Sequence, residues 1–244
     1  SPSEPLQRLF SLLWNERHNL AAVSPVLAGS IQSELEFIRA ADLGLDGDEA
    51  KRLVGNSGVG HMEVHGCPEM TLCIFVMRAR ARIPMHDHPG MHAFGRLLFG
   101  RMRVTSLTPE GAWSPHQYPS HQTGWSAALP SRPGLPPGSR EASLHFNEVL
   151  GPFPSTFYLG PERGNVHELE AIDDCAFFDI MVPPYDSSAG RDCTYYQVQR
   201  YPVNDHWQTN SDENDRYLLL PTRAEGFTTE GLKYRGPRFQ MQGP

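Results

Sequence analysis

The stretch IPMHDHPGMHAFGRLLFG, residues 83–100, decides how the rest of the chain is read, because it places three histidines within seven positions of β-like sequence. On an extended backbone, side chains two apart project to the same face, so His86 and His88 point together while Asp87 points away. His92 would share their parity on an unbroken strand. Pro89 and Gly90 bend the chain before it arrives, which leaves His92 outside the ligand pair in a supporting role. An H-x-H pair has two readings, surface histidines on a strand or the beginning of a metal site.

Outward from this stretch, from about residue 60, the chain is a succession of short β-rich runs broken by Gly and Pro. TLCIFVMRA, RARIPMHDH, RLLFGRMRVTSL, SLHFNEVL, STFYLG, CAFFDIMV and TYYQVQRY read as strands. No helical crossovers intervene, which argues against a parallel α/β sheet and points to a sandwich or barrel. Ahead of them, Leu6, Leu9, Phe10, Leu13 and Trp14 fall at helical spacing. SIQSELEFIRAADLGL gives a second helix carrying Ile31, Leu35 and Ile38, with Ser30 as N-cap and Gly44 near its end.

The division that follows is a helical extension over residues 1–59 and a β domain over residues 60–244. A loop insert near residues 108–141 interrupts the domain, and its PSRPGLPPGSR cannot form a central strand. Beyond Val203, polar stretches alternate with Leu218, Leu219, Leu220 and Phe227, which reads as an irregular wrap on the core.

Lys plus Arg number 21 against 28 Asp plus Glu, a formal charge of −7, so a nucleic-acid or anionic-membrane partner has no compositional support. No run approaches the roughly 20 apolar residues of a membrane helix, and no basic segment leads into an apolar signal core. The expectation is a soluble protein of the cytoplasm, with the nucleus also open to it. A coiled-coil pattern is missing, so a monomer is expected. Cys67, Cys73, Cys175 and Cys193 are sparse and form no C-x-x-C pair, which favours reduced thiols.

Downstream, FYLGPERGNVHELEAI sets Pro161, Gly164 and His167 in a P-x-x-G-x-x-H turn that enters an apolar strand. H-x-H followed by a Gly-containing hairpin and then this turn resembles the paired motifs of the cupin superfamily. The resemblance implies an all-β fold, a cupin jelly-roll barrel (double-stranded β-helix) with an N-terminal helical extension. It also implies the metal ligands His86, His88 and His167. Many cupins supply a further Glu four or five positions after the H-x-H pair, but His92 and Ala93 stand there in this chain. Three neutral imidazoles leave an ion's charge uncompensated and coordination positions open, which favours an anionic ligand. A thiolate suits this role, because coordination drives ionisation of a thiol whose free pKa is about 8.5.

The runs HDHPGMH, LLFG, FFDIMVPPYD and GRDCTYY sharpen the resemblance. Over roughly residues 70–202 the chain is similar to the thiol dioxygenases that include vertebrate 2-aminoethanethiol (cysteamine) dioxygenase and the plant cysteine oxidases. That similarity implies a mononuclear non-haem Fe(II) enzyme that adds both atoms of O2 to a thiol. Its expected substrates are cysteamine, giving hypotaurine, and proteins with an amino-terminal Cys, whose oxidation marks them for degradation and makes the enzyme an oxygen sensor. Both substrates share an HS-CH2-C-NH2 unit. The competing readings are a cupin acting on another small molecule and a metal-stabilised binding cupin without turnover.

Around the ligands, Asp179 in CAFFDIMV is a carboxylate in a buried strand, which is costly unless paired. It either orients a ligating His or the substrate amine, or forms a salt bridge with an Arg. The resemblance implicates Asp179 and Tyr185 of the D-x-x-x-P-P-Y run in activity, while simple aromatic packing is the other reading of Tyr185. Cys193 and Tyr195 share a face on an extended backbone. The matching Cys-x-Tyr of the animal enzyme implies a thioether crosslink, against a buried free Cys beside a core Tyr. Arg191 and Asp192 read as a turn with its own ion pair, and His61, His65, His116, His121 and His145 as surface or hydrogen-bonded residues.

Overall fold

The computed structural model describes residues 2–111, 136, 138–201 and 216–239. Helices α1 (Glu4–Asn15), α2 (Pro25–Leu35) and α3 (Gly47–Leu53) lead the chain. Leu6, Leu9, Phe10 and Leu13 form one buried stripe on α1. α2 begins earlier than its apolar spacing indicates. Ser24 is its cap, accepting a hydrogen bond from Leu27 N, and Pro25 opens the first turn, where a missing N–H costs nothing. Ser30 therefore lies inside the helix and donates back to the Val26 carbonyl. The helix stops at Leu35, and Gly44, at φ 61°, closes a separate 3-10 turn over Ala40–Leu43.

The strands among the described residues are β1 (Val59–Cys67), β2 (Met70–Met77), β3 (Arg82–His86), β4 (His92–Phe99), β5 (Met102–Pro109) and β6 (Arg140–Leu150), followed by β7 (Thr156–Leu159), β8 (Val166–Ala171), β9 (Cys175–Val182), β10 (Tyr195–Tyr201), β11 (Arg216–Thr222) and β12 (Glu230–Gly231). They make two sheets, ordered β12-β1-β2-β9-β4-β7 and β10-β11-β6-β5-β8-β3. The second closes on itself where Tyr195 pairs with His86. All these strand pairings are antiparallel except the short parallel contact of β12 with β1. This is a cupin jelly roll with helices packed on one face.

Two expected elements change. RLLFGRMRVTSL is two strands on different sheets, because Gly100, at φ 79°, turns the chain where a Cβ would lie 2.4 Å from the Asp174 carbonyl oxygen. The Leu218–Leu220 run is strand β11, paired with β10 and β6, and not an irregular wrap. Of the insert, Thr108 and Pro109 pair with Ser143 and Ala142 in the ladder. Its residues 112–135, and residues 202–215 after β10, lie outside the described residues.

The first sheet is covered on both faces. Leu72, Ile74, Val76, Phe94, Phe178 and Ile180 pack under Leu6, Leu9, Leu13 and Ile31 of the helices. Met77, Leu97, Phe157 and Phe177 face inward and meet Ile83, Val104 and Leu169 of the second sheet. The alternate residues of β9 serve these two cores, so Asp179, sharing the parity of Phe177, looks into the space between the sheets.

Candidate metal centre

His86 ends β3, His88 lies two residues beyond it, and His167 is the second residue of β8. Their ligand atoms all lie within 4.8 Å of one another, and the three side chains are buried. Register explains how they meet. Ile83 pairs with Leu169 and His86 with His167, so three steps along β3 match two along β8. The extra residue is a β-bulge beside Pro84, a residue that sheets accept at such points. Ile83 faces the core between the sheets and Met85 packs in a smaller core on the opposite face. Simple alternation from Ile83 would have sent His86 and His88 outward with the even-numbered residues. The bulge reverses that parity.

Burial keeps the three imidazoles neutral. His86 is lowered to about 4 by desolvation, partly offset by its bond to Pro84. Desolvation is also the first cause holding His88 and His167 well below the ordinary value, and the neighbouring histidines add to it. The Nδ1 atoms of His86 and His167 sit 2.8 Å and 3.3 Å from the carbonyl oxygens of Pro84 and Asn165. A carbonyl only accepts, so each Nδ1 holds the proton and each Nε2 keeps a lone pair. His88 Nδ1 is buried and has no hydrogen-bond partner among the described residues. Neutral, oriented, convergent imidazoles are a donor set fitted to a first-row metal ion.

Two residues that the sequence pattern did not single out hold this geometry. Asp87 is 1 % exposed, with Oδ1 accepting from Thr194 N at 2.8 Å and Oδ2 from the Tyr196 hydroxyl at 2.9 Å. Its carbonyl accepts from the Tyr185 hydroxyl at 2.7 Å. The residue between the ligands thus ties their segment to the start of β10. Asn165 is also buried, and it accepts from His88 N at 2.9 Å while its amide donates to His88 O at 2.7 Å. Its signal was parity with His167, two residues on. Gly164, at φ 70°, leads into this clasp, and a Cβ there would lie 2.4 Å from the His145 ring. His92 shares the side of β4 that carries Phe94 toward the helices, and its Nδ1 is 2.8 Å from the Tyr158 hydroxyl. Burial lowers it to about 4.

The other singled-out side chains surround the histidines. Tyr185 stacks on His88, ring centroids 5.1 Å apart, and the Tyr195 ring is 6.0 Å from His86. The Cys193 thiol is in no disulfide, and the Tyr185 and Tyr195 hydroxyls lie near enough to influence its ionisation. Desolvation and then the Asp87 charge push it up to about 12, against the pull of the two hydroxyls. Asp179 is raised to about 7 by burial, partly offset by the Ile180 N–H, and its Oδ1 finds no hydrogen-bond partner among the described residues. Its register neighbours are Cys73 and Gly95, so the carboxyl stands opposite no arginine in the ladder. Arg191 pairs with Asp186 at 3.5 Å, while Asp192 accepts from Ser187, so the expected pair of sequence neighbours is replaced by one across an isolated bridge. His116 and His121 lie outside the described residues.

The family model PCO_ADO matches residues 32–239. The 2-aminoethanethiol dioxygenase of Homo sapiens is 32% identical over 225 residues, covering 88% of this chain and 82% of the relative. The mouse (Mus musculus) protein of the same name is 31% identical over 217 residues, covering 85% and 83%. Plant cysteine oxidase 1 of Arabidopsis thaliana is 27% identical over 193 residues, covering 75% of this chain and 59% of its own length. A match over so much of the chain, on a jelly roll whose histidines converge as its motifs require, places the protein in the PCO_ADO family of cupin thiol dioxygenases.

Proposed function

We propose that the protein uses iron(II) held by His86, His88 and His167 to convert a thiol and O2 into a sulfinic acid, acting on cysteamine and on proteins that begin with Cys. The reaction R–SH + O2 → R–SO2H balances without a reductant or organic cofactor. The observation that carries the reading is a ligand set of three neutral histidines with no carboxylate among them. Such a set favours a substrate that brings its own negative charge, as a thiolate does. When bound, ferrous ion supplies a Lewis acid that ionises the thiol and a redox centre through which triplet O2 reacts with a closed-shell sulfur.

The chain's own groups prepare that encounter. The two sheets exclude water from the imidazoles, and the carbonyls of Pro84 and Asn165 fix which nitrogen faces the site. The inward-facing Asp179 carboxyl, whose Oδ1 has no partner among the described residues, is suited to accept from the ammonium group that both substrates carry two carbons from sulfur. Tyr185, held by Asp87 O and laid against His88, limits the space beside the ligands. Oxidation of an exposed amino-terminal Cys would make its bearer a degradation target, which gives the protein an oxygen-sensing role.

The test loads the protein with iron(II) without oxygen, adds cysteamine or a Cys-initiated peptide, admits O2 and reads the products by mass spectrometry. A gain of two oxygen atoms on sulfur is expected. No oxygenated product from either substrate, with iron bound, would reject the reading.

A further inference from the structure

Asp179 stands in a row of residues that crosses the first sheet. Glu63 of β1 pairs with Cys73 of β2, Cys73 with Asp179 of β9, and Asp179 with Gly95 of β4. Residues in register on neighbouring strands share a face, so the row looks into the space between the sheets. The neighbours on β1 agree. Val59 joins the core between the sheets and His61 lies 6.3 Å from Phe75, while Met62 joins the core under the helices. The row also lies at the level of the histidines, because Cys73 packs with Met91 and Met181 against Tyr185, and Tyr185 stacks on His88.

At its outer end the row passes from buried to exposed. Asp179 is 7 % exposed, with Oδ1 unpartnered among the described residues, whereas Glu63 is exposed and enters no ion pair among them. Strands lie about 4.8 Å apart, which sets the two backbones about 10 Å from each other. The Glu63 carboxyl lies beside Gly66, where a Cβ would come 3.2 Å from it, so it leans toward the β1–β2 hairpin at the histidine end of the barrel. Both carboxylates bear on the thiol between them, since desolvation first, then Asp179, then Glu63 raise Cys73 to about 12. A buried carboxyl open to an ammonium group, with an exposed one on the same row, makes an inner and an outer position for one cation. We propose that Glu63 is a specificity-determining residue that draws the substrate's ammonium group out of solution toward Asp179, selecting cationic thiols before they reach the histidines. This inference rests on the thiol dioxygenase reading, with Asp179 as the partner of the amine.

The experiment measures kcat and KM for cysteamine in the iron-loaded wild type, Glu63→Gln, Glu63→Lys and Glu4→Gln, in about 10 mM and about 1 M salt, where the Debye length is about 30 Å and about 3 Å. Glu4, 85 % exposed on α1, gives the same change in net charge on the helix layer. In low salt Glu63→Gln should lose about threefold in kcat/KM and Glu63→Lys about tenfold, both through KM, while Glu4→Gln follows the wild type. In high salt the four proteins should converge. The inference is overturned if Glu63→Gln keeps the wild-type KM in low salt, if its loss persists undiminished in high salt as a merely structural role requires, or if Glu4→Gln loses as much. Each of these outcomes, with a wild type that oxidises cysteamine, leaves the dioxygenase reading standing. An iron-loaded wild type inactive on cysteamine in both salts removes the inference together with its cysteamine branch.

Discussion

The two sheets are made of similar strands and pack face to face, yet they are buried differently. In the first, β9 is buried at all eight positions, between a helix layer on one side and the opposing sheet on the other. In the second, β8 alternates. His167, Leu169 and Ala171 face inward, while Glu168 and Glu170 face outward to Arg82, the latter at 2.7 Å. The doubly covered sheet supplies apolar burial and a fixed background, broken by the one carboxyl of Asp179 on β9. The curled sheet, whose strands bulge and end near the site, supplies the ligands. Rigidity and chemistry are thereby assigned to different layers, so damage to one should be separable from damage to the other.

The strongest test of that separation removes ligands. His86→Ala, His88→Ala and His167→Ala should each abolish turnover and lower bound iron, while the urea midpoint of the metal-free protein stays near that of the wild type. Full activity in any of them would remove that residue from the ligand set. The reciprocal change, Phe178→Ala, opens the helix-covered face and should cost about 3–5 kcal/mol in urea unfolding, with iron still bound by the folded fraction. A cost below about 1 kcal/mol would mean that the helix layer contributes little to stability.

Asp179→Asn probes the point where the layers meet. Turnover should slow by about 10–100-fold with iron retained, and an unchanged rate would make Asp179 structural. Its pH signature has a definite sign. Unfolded, the carboxyl ionises near 4, but burial in the fold keeps the proton to about pH 7. Between those limits the folded state holds the extra proton, so this group makes stability fall as pH rises, and Asp179→Asn should remove that slope from urea midpoints measured across the window. The mildest change is Asp87→Ala, which removes the carboxylate that the Thr194 N–H and the Tyr196 hydroxyl donate to and should cost about 1–3 kcal/mol. Hydrogen exchange should quicken at residues 194–196 ahead of the rest of β10, and unchanged protection there would show that the tether does not order it.

Much of this was legible in the sequence because runs such as CAFFDIMV and TYYQVQRY are too short, too β-branched or aromatic, and too closely spaced to be anything but strands. The ligand pair was legible too, though its geometry rests on more than two-residue parity. β3 stops at His86, and the bulge, which depends on the register with β8, is what aims the pair inward. β11 was missed because Leu218, Leu219 and Leu220 do not alternate and Pro221 follows, although the pairing with β10 runs through that proline. Asp87 was read only as pointing away from the ion. What it points toward is a segment more than a hundred residues later, and no local pattern encodes that partner.

The bulge in β3 gives this strand something like a reading frame. With the length of the strand unchanged, straightening the bulge would restore simple alternation and turn every later side chain of the segment over, whereas deleting Pro84 or Met85 along with it would leave His86 two steps from Ile83 and on the same face. In the first case His86 and His88 would face away from His167 with all three histidines still encoded. The match of three steps on β3 to two on β8 is therefore itself part of the site, as much as the histidines it aims.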